Sequence, residues 1–266
     1  MAPSPAEPPV PHDLLGTPGR PRAVLLHGFT QNRRCWGPVP GLLARAREVA
    51  VADAPGHGDA AGLRLSLADA ATPYADALAG VGAAQWVGYS MGGRLALHVA
   101  LAHPGRVGAL VLVGTSPGIA DPPARAARRA ADEALATHLE AVGTTAFVDE
   151  WLAQPLFRGL DAQSACRSER LTNDAGGLAS SLRLAGTGAQ EPLWASLGEI
   201  SAPVLLVVGE RDEKFRTIAA DMAPRFGGRC DTVVLPATGH ACHLEAPEAF
   251  CDLVTAWLDD AQPGTP

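Results

Sequence analysis

Lysine, cysteine and long apolar runs are scarce in this 266-residue sequence, and each shortage excludes a class of protein. The five cysteines form an odd set without a Cys-x-x-Cys pair, which argues against a disulfide framework and a zinc site. No apolar run approaches the roughly 18 residues of a membrane span. The net charge of −7 argues against a nucleic-acid surface. We therefore expect a cytoplasmic chain with no metal, no nucleic-acid partner and no membrane span.

The length suits one large α/β domain with an insertion, rather than two domains of usual size. The first 20 residues are rich in proline and have neither the basic start nor the apolar stretch of a signal peptide. We therefore predict a disordered lead-in over residues 1–20, ahead of the folded domain.

Short apolar segments alternate with helical patterns along the chain. This alternation is typical of a mostly parallel, doubly wound sheet with helices on both faces. The run 107–114 is wholly apolar, as expected of a central strand that is covered on both sides. The predicted strands are, in order, 23–27, 48–53, 84–87, 107–114, 203–209 and 231–236.

A long segment without strand patterns interrupts this alternation. It extends from about residue 119 to residue 197, and its part 126–142 is strongly helical in character. Insertions at the carboxyl ends of strands commonly form lids over active sites. We predict that residues 119–197 form a helical cap, inserted after the strand that ends near Gly114. The core would then comprise residues 21–118 and 198–262.

A serine on a glycine-flanked turn gives the first chemical indication. The third predicted strand leads into Gly88-Tyr89-Ser90-Met91-Gly92, and residues 92–102 carry apolar side chains at helical spacing. Ser90 would therefore lie on a sharp strand-to-helix turn, with its hydroxyl exposed at the carboxyl end of the sheet. This arrangement is typical of a catalytic serine, and a chance match in a glycine-rich chain is the alternative.

Loops after two later strands supply a candidate acid and a candidate histidine. Asp212 follows the fifth predicted strand and His240 follows the sixth, so both lie beyond carboxyl ends of the sheet. A catalytic serine needs a histidine within hydrogen-bonding distance and a carboxylate that orients the imidazole. Glu210 and Glu213 are rival acids, and we favour Asp212 by its position in the turn. Structural or surface roles are expected for His57, His98, His103 and His243.

An oxyanion hole requires two amides aimed at the place where negative charge develops. The amide of Met91, directly after the serine, is one candidate, and the amide of Phe29 in the loop His27-Gly28-Phe29 is the other. This loop and the turn Asp53-Ala54-Pro55-Gly56-His57-Gly58 resemble segments of the α/β-hydrolase superfamily. The resemblance implies the α/β-hydrolase fold and a structural role for His57.

Cationic side chains near the serine indicate an anionic substrate. Arg94 lies four residues after Ser90, hence on the same face of the predicted helix. Lys214, the only lysine of the chain, lies two residues after Asp212. Guanidinium groups from the cap and the helix could converge on carboxylates as bidentate donors, although a solvated surface position is the alternative for each arginine. The cap arginines in question are Arg125, Arg128, Arg129, Arg167 and Arg170.

Five strings of the sequence form a more specific pattern, and the similarity that they carry runs from about Val24 to the last helix. The strings are Gly88 to Arg94, Ser116 to Ile119, Trp151 to Phe157, Gly209 to Phe215 and Gly239 to His243. Together they resemble the 2-succinyl-6-hydroxy-2,4-cyclohexadiene-1-carboxylate synthase family of menaquinone biosynthesis. The strings Trp-x-x-Gln-Pro-x-Phe in the cap and Gly-Glu-Arg-Asp-x-Lys-Phe after the fifth strand are the most specific.

The resemblance implies a lyase that eliminates pyruvate from 2-succinyl-5-enolpyruvyl-6-hydroxy-3-cyclohexene-1-carboxylate. Ser90, Asp212 and His240 would then act as a base, without metal or organic cofactor, on a small tricarboxylate substrate. A serine carboxylesterase or carbon–carbon bond hydrolase is the alternative, since the same triad can act as a nucleophile. A non-catalytic receptor on this fold is a third hypothesis. The residues implied at the substrate site are Tyr89, Arg94, Arg128, Trp151, Arg170 and Lys214.

Overall fold

Seven β-strands form one sheet in residues 10–261, the part of the chain that this computed structural model describes. The strands are β1 (His12–Leu15), β2 (Arg22–Leu26), β3 (Glu48–Ala52), β4 (Ala84–Tyr89), β5 (Val107–Val113), β6 (Val204–Gly209) and β7 (Cys230–Leu235). Their order in the sheet is β1-β3-β2-β4-β5-β6-β7. The strands β2 to β7 pair in parallel, and the edge strand β1 pairs antiparallel with β3.

Helices cover both faces of this sheet. The α-helices are α1 (Val39–Leu43), α2 (Leu67–Leu78), α3 (Met91–Ala102), α4 (Pro122–Leu152), α5 (Arg167–Arg170), α6 (Ala175–Ala185), α7 (Glu213–Met222), α8 (Cys242–Glu245) and α9 (Pro247–Asp260). Short 3-10 helices lie at Arg33–Trp36, Gly58–Ala60, Pro104–Arg106, Pro155–Phe157, Leu197–Glu199 and Ala223–Arg225.

The central strands are buried on both sides because their side chains alternate between two hydrophobic layers. In β2, Val24 and Leu26 pack into the layer under α2 and α3, whereas Leu25 packs into the layer on the opposite face, under α1 and α9. In β4, Trp86 and Val87 point to opposite layers in the same way. The sheet is therefore a rigid platform, and its carboxyl-terminal edge positions the loops described below.

The segment between β5 and β6 contains α4, α5 and α6, which together form the predicted helical cap. Asp121 caps α4 by accepting a hydrogen bond from the Ala124 amide over 2.9 Å, and Asp174 caps α6 in the same manner. Gly143 breaks α4, with φ 78° and ψ 168°. The two parts of α4 and the helix α6 share a small hydrophobic cluster that also contacts Phe29 of the core.

The fold class predicted from the sequence is confirmed, and the six predicted strands agree with β2 to β7 within a few residues at their ends. The prediction of a disordered lead-in over residues 1–20 is wrong where β1 forms, because His12 to Leu15 pair with β3. Val10 is also buried. Residues 1–9 and 262–266 lie outside the described part of the chain.

Candidate active site

Ser90 occupies a strained turn between β4 and α3, with φ 51° and ψ −106°. Its amide donates to the Val113 carbonyl over 2.8 Å, which ties the turn to β5. The two following glycines are required by space: a Cβ on Gly92 would lie 1.9 Å from the Leu26 carbonyl oxygen, and one on Gly93 would lie 1.9 Å from Thr115 Oγ1. The turn can therefore form only because the second and third residues of α3 have no side chain.

Asp212 and His240 are in direct contact, as predicted. Asp212 Oδ2 lies 2.6 Å from His240 Nδ1, and both side chains are buried. Asp212 is also the N-cap residue of α7, where its Oδ1 accepts the Phe215 amide over 3.4 Å. A carboxylate held in this way fixes the imidazole orientation and leaves Nε2 to face a serine. No hydrogen bond joins His240 to the Ser90 hydroxyl in the described residues, although both line one cavity.

The rival acids have other partners. Glu210 Oε2 accepts the Ala237 amide over 2.8 Å, and Glu213 is an exposed residue in the first turn of α7. A third acid, Glu245, accepts the Gly239 amide over 2.8 Å and so steadies the loop that carries His240. Sequence reasoning missed Glu245, because a glutamate that binds a backbone amide leaves no local signal.

Gly114 and Phe215 enclose the His240 ring. A Cβ on Gly114 would lie 2.8 Å from His240 Cε1, and Gly114 has φ +52°. The Phe215 ring lies 4.5 Å from the imidazole, measured between centroids. The histidine is thus held between the end of β5 and the start of α7, next to Ser90.

The two candidate oxyanion donors both line the cavity. Met91 is the first residue of α3, where amides have no acceptor within the helix. The Phe29 amide has no hydrogen-bond acceptor among residues 10–261. Phe29 lies between Gly28, where a Cβ would lie 2.7 Å from Tyr89 Cε1, and Thr30, which has φ +66°. The packing orients this loop, and its role as an oxyanion hole stays a prediction.

His57 and His243, for which the sequence predicts structural or surface roles, are both buried in the core. Burial lowers the pKa of His57 to about 3, and its Nδ1 is 2.9 Å from the Pro55 carbonyl oxygen. Burial also lowers the pKa of His243 to about 3, and its ring packs 4.4 Å from that of Tyr89. Neither ring faces the cavity that contains Ser90.

A cavity of about 630 Å³ connects the core to the cap. Of the predicted site residues, Phe29, Ser90, Met91, Arg94, Arg128, Trp151, Lys214 and His240 line it. Its apolar wall includes Trp151, which lies 5.1 Å from the Phe29 ring and is nearly parallel to Phe147. The cavity therefore combines a polar end at the triad with an aromatic wall from the cap.

Two residues expected at the substrate site lie outside this lining. Tyr89 is buried between the rings of His240 and His243. Arg170 is only 1% exposed, and it donates to Ala165 O over 2.8 Å and to Thr30 Oγ1. Each of the two residues is engaged in packing or hydrogen bonds behind the wall, and their contact with a substrate stays a prediction.

Arg94 is a buried cation on the cavity wall, which rules out the surface alternative. It is 7% exposed, and its Nη1 donates to Ala185 O over 2.8 Å and to Gln190 Oε1 over 3.0 Å. Burial, and to a smaller extent the nearby charge of Arg128, lower its pKa to about 10. Both acceptors are uncharged, so within residues 10–261 the guanidinium has no carboxylate partner. Sequence reasoning missed Gln190.

The cap arginines separate into one cavity residue and several surface residues. Arg128 lines the cavity and pairs with the buried Asp132, with Nε 2.7 Å from Oδ1. Arg125 pairs with Glu191 at 2.6 Å, and Arg167 pairs with an exposed aspartate, Asp149, also at 2.6 Å. The helical phase of α4 thus selects Arg128, as the resemblance implied.

Residues 10–261 contain neither a candidate metal cluster nor a helix suited to span a membrane. No group of three or more His, Cys, Asp or Glu side chains there is arranged to hold a metal ion. No helix there is both long and apolar enough to cross a bilayer.

Comparison with known proteins identifies the family. A sequence model of the alpha/beta hydrolase family matches residues 23–253, and the chain belongs to that family. A Bacillus subtilis (strain 168) protein with 2-succinyl-6-hydroxy-2,4-cyclohexadiene-1-carboxylate synthase in its name is 37% identical over 246 residues, 88% of this chain and 89% of its own. The synthase of that name from Enterobacter sp. (strain 638) is 33% identical, with 88% and 90% covered. Within the hydrolases, the chain is thus a member of this synthase family and an enzyme.

Solved structures agree with this assignment. The structure of MenH from S. aureus has a TM-score of 0.84 at 30% identity, and the match covers 95% of this chain and 99% of that chain. The enol-lactonase from Burkholderia xenovorans LB400 has a TM-score of 0.76 at 20% identity, with 94% and 96% covered. At that identity the second likeness shows the fold alone.

Proposed function

We propose that the chain eliminates pyruvate from 2-succinyl-5-enolpyruvyl-6-hydroxy-3-cyclohexene-1-carboxylate to give 2-succinyl-6-hydroxy-2,4-cyclohexadiene-1-carboxylate. The observation that carries the proposal is Arg94, a buried guanidinium on the wall that also holds Ser90 and His240. An unpaired buried cation is costly unless a ligand of opposite charge binds to it. A neutral ester has no anionic group that could pair with Arg94, whereas a tricarboxylate has such groups.

The rest of the cavity matches such a substrate. Arg128 and Lys214 add cationic groups to that of Arg94, and Asp132 neutralises Arg128 in part. Guanidinium groups bind carboxylates in a bidentate manner and are the usual choice for planar anions. Phe29 and Trp151 offer aromatic surface to a six-membered carbon ring. The cavity thus accommodates an anionic ring compound in a protein of net negative charge.

The reaction begins with proton abstraction by the triad. The Ser90 hydroxyl passes its proton to His240 Nε2 while its oxygen removes the ring proton α to the succinyl ketone. Asp212 stabilises the imidazolium that results, since its carboxylate is 2.6 Å from Nδ1. The hydrogen bond from Ser90 to His240, which the free enzyme lacks, forms in this step, as is common when substrate tightens a site.

The negative charge then moves from the ketone through the ring to the leaving group. The enolate oxygen is stabilised by the amides of Phe29 and Met91, and such donors typically contribute about 10²- to 10³-fold in rate. Collapse of the dienolate breaks the carbon–oxygen bond and expels the enolate of pyruvate, which takes up the proton held by His240. Ser90 remains unmodified throughout, and no cofactor takes part in these steps.

Pyruvate release from the purified protein tests the proposal. We expect Arg94→Met to lower kcat/KM by about 10- to 100-fold, because the variant loses the charge-assisted hydrogen bonds to a substrate carboxylate. Arg125→Met is the matched control, since Arg125 pairs with a surface glutamate, and it should leave kcat/KM unchanged. No pyruvate from the wild-type protein, or equal kcat/KM in both variants, would count against the proposal.

A hydrolase on an anionic substrate is the second candidate, because the strained Ser90 turn is also that of a nucleophile. The two functions differ in whether a covalent adduct forms on the enzyme. A hydrolase forms an acyl group on Ser90, whereas the elimination leaves the serine free. Intact-mass measurement of acid-quenched protein during turnover separates them: an added acyl mass that is absent in Ser90→Ala supports the hydrolase.

A further inference from the structure

Cys35 and Cys166 meet at the junction of the core and the cap, away from the triad. Cys35 lies in the 3-10 helix Arg33–Trp36, shortly after the Phe29 loop, and Cys166 directly precedes α5. Cys166 Sγ is 3.6 Å from the Cys35 carbonyl oxygen. The Cys35 thiol is 3.6 Å from Asn32 Oδ1, which keeps it in place beneath the cap. Two free cysteines from distant parts of the chain are thus in direct contact, through the sulfur of one and the backbone of the other.

The surroundings of the pair favour a thiolate on Cys166. A hydrogen bond from the Cys35 thiol and the charge of the Arg170 guanidinium lower the pKa of Cys166 to about 7, against the effect of burial. The same contact, together with burial, raises the pKa of Cys35. Cys166 is therefore the more acidic thiol of the pair and Cys35 the less acidic one, which is the division of roles between an attacking and a resolving thiol.

Cys166 is also accessible, in contrast to its partner. It is half-buried and has a left-handed backbone, φ 51° and ψ 38°, which is uncommon for a residue other than glycine. Cys35, Cys242 and Cys251 are buried. Cys230 is half-buried too, but burial and Asp231 raise its pKa to about 11. Among the five cysteines, Cys166 therefore combines exposure with a low pKa.

We propose that Cys166 is a site of oxidation by hydrogen peroxide and that Cys35 resolves the product into a disulfide between cap and core. The Cys166 thiolate attacks one peroxide oxygen, and the O–O bond breaks to give a sulfenic acid and, after protonation, water. The Cys35 sulfur then attacks the Cys166 sulfur and expels the second oxygen as water. Two thiols are oxidised, one peroxide is reduced, and two water molecules form.

The proposed disulfide lies near the Phe29 loop of the candidate active site. Its formation does not depend on the proposed elimination reaction. Arg170, which stabilises the Cys166 thiolate, also donates to Thr30 Oγ1, and Thr30 follows Phe29. Oxidation removes the negative charge beside Arg170 and ties the segment before α5 to the segment that follows the Phe29 loop. The proposed oxidation site thus shares the hydrogen-bond network of the Phe29 loop.

Peptide mapping of the full chain tests the disulfide. The protein is treated with hydrogen peroxide, free thiols are blocked with N-ethylmaleimide, and peptides are analysed without reduction. We expect one cross-link, between Cys35 and Cys166, with loss of two hydrogens. Cys166→Ser should abolish it, Cys35→Ser should leave a sulfenic acid that dimedone traps, and Cys251→Ser, the control, should retain it. A cross-link between other cysteines, or none in the folded wild type, would overturn the proposal.

Alkylation of the wild-type protein is a second test, and it does not depend on whether a variant folds. At pH 7 we expect iodoacetamide to modify Cys166 roughly 100-fold faster than Cys230, since the larger thiolate fraction outweighs the lower nucleophilicity of a more acidic thiol. Cys230 is the internal control, because it is similarly exposed. Equal rates, or faster modification of Cys230, would contradict the proposed role of Cys166.

Discussion

Arg94 and Gln190 are bound to each other across the boundary between core and cap, with Arg94 Nη1 donating to Gln190 Oε1 over 3.0 Å. Arg94 belongs to α3, directly after the catalytic turn, whereas Gln190 follows α6. The amide neutralises no charge, so it orients the guanidinium and leaves its charge available to a ligand. Gln190 is therefore a positioning residue for Arg94.

Replacing this amide by a carboxylate should weaken the binding of substrate at Arg94. In Gln190→Glu the new charge pairs with Arg94 and competes with a substrate carboxylate, so KM for pyruvate release should rise by about 10-fold or more while kcat changes little. Glu191→Gln, which alters the neighbouring exposed acid, is the control and should keep the wild-type KM. An unchanged KM in Gln190→Glu would show that Arg94 does not bind the substrate.

Loss of the carboxylate at Asp212 should remove most of the activity. Asp212→Asn keeps the shape of the side chain but cannot stabilise the imidazolium or fix the tautomer of His240, so kcat should fall by about 10³- to 10⁴-fold. The adjacent Glu213→Gln is the control and should have wild-type kcat. If Asp212→Asn retains more than a tenth of the activity, another group orients the histidine.

Gly114 should not tolerate a side chain. In Gly114→Ala the new Cβ meets His240 Cε1 at 2.8 Å, and φ +52° is unfavourable for alanine. We expect a loss of about 1–3 kcal/mol in the free energy of unfolding and a clear fall in kcat. Gly108→Ala, in the strand β5 that Gly114 follows, is the control, since its Cβ would come no closer than 3.6 Å to the neighbouring atoms. Urea unfolding and pyruvate release measure the two effects, and wild-type values for Gly114→Ala would contradict the close packing.

The buried His243 should make the protein sensitive to acid. Its pKa is about 3 in the folded state and 6.5 in the unfolded chain, so between these values the unfolded state binds the additional proton. The free energy of unfolding should therefore fall as the pH is lowered from 6.5 toward 3. His243→Phe keeps the ring that packs on Tyr89 and should reduce this slope by about 1.4 kcal/mol per pH unit. Unfolding measured from pH 6 to 4 tests the slope, and at pH 7 to 8, as the control range, the two slopes should agree.

Local patterns in the sequence were sufficient for the core strands and for the places of Ser90, Asp212 and His240, whose catalytic roles stay a prediction. Each core strand is a short apolar run, and Ser90, Asp212 and His240 each follow such a run directly. The edge strand β1 was missed because four residues with two exposed side chains have no hydrophobic alternation. Its pairing depends on β3, which lies far along the chain.

Side-chain direction within the cap was the part that the sequence could not settle. Arg170 was expected in the substrate site, but its guanidinium turns to Thr30, 140 residues away in sequence. Gln190 and Glu245 were missed as well, since the contact of each with its partner, Arg94 or the Gly239 amide, leaves no pattern in the sequence. Arg128 does line the cavity, because the phase of one long helix decides which arginine faces inward, and its contact with a substrate stays a prediction.

The strand order also has a consequence for synthesis of the chain on the ribosome. Ser90 and the cap are made before β6 and β7, yet these two strands carry Asp212 and His240 at their ends. Both strands add to the sheet at one edge, beside β5, so the earlier strands can assemble without them. If Asp212 and His240 act with Ser90 as proposed, a nascent chain whose serine turn and cap have folded has no activity until the final strands emerge.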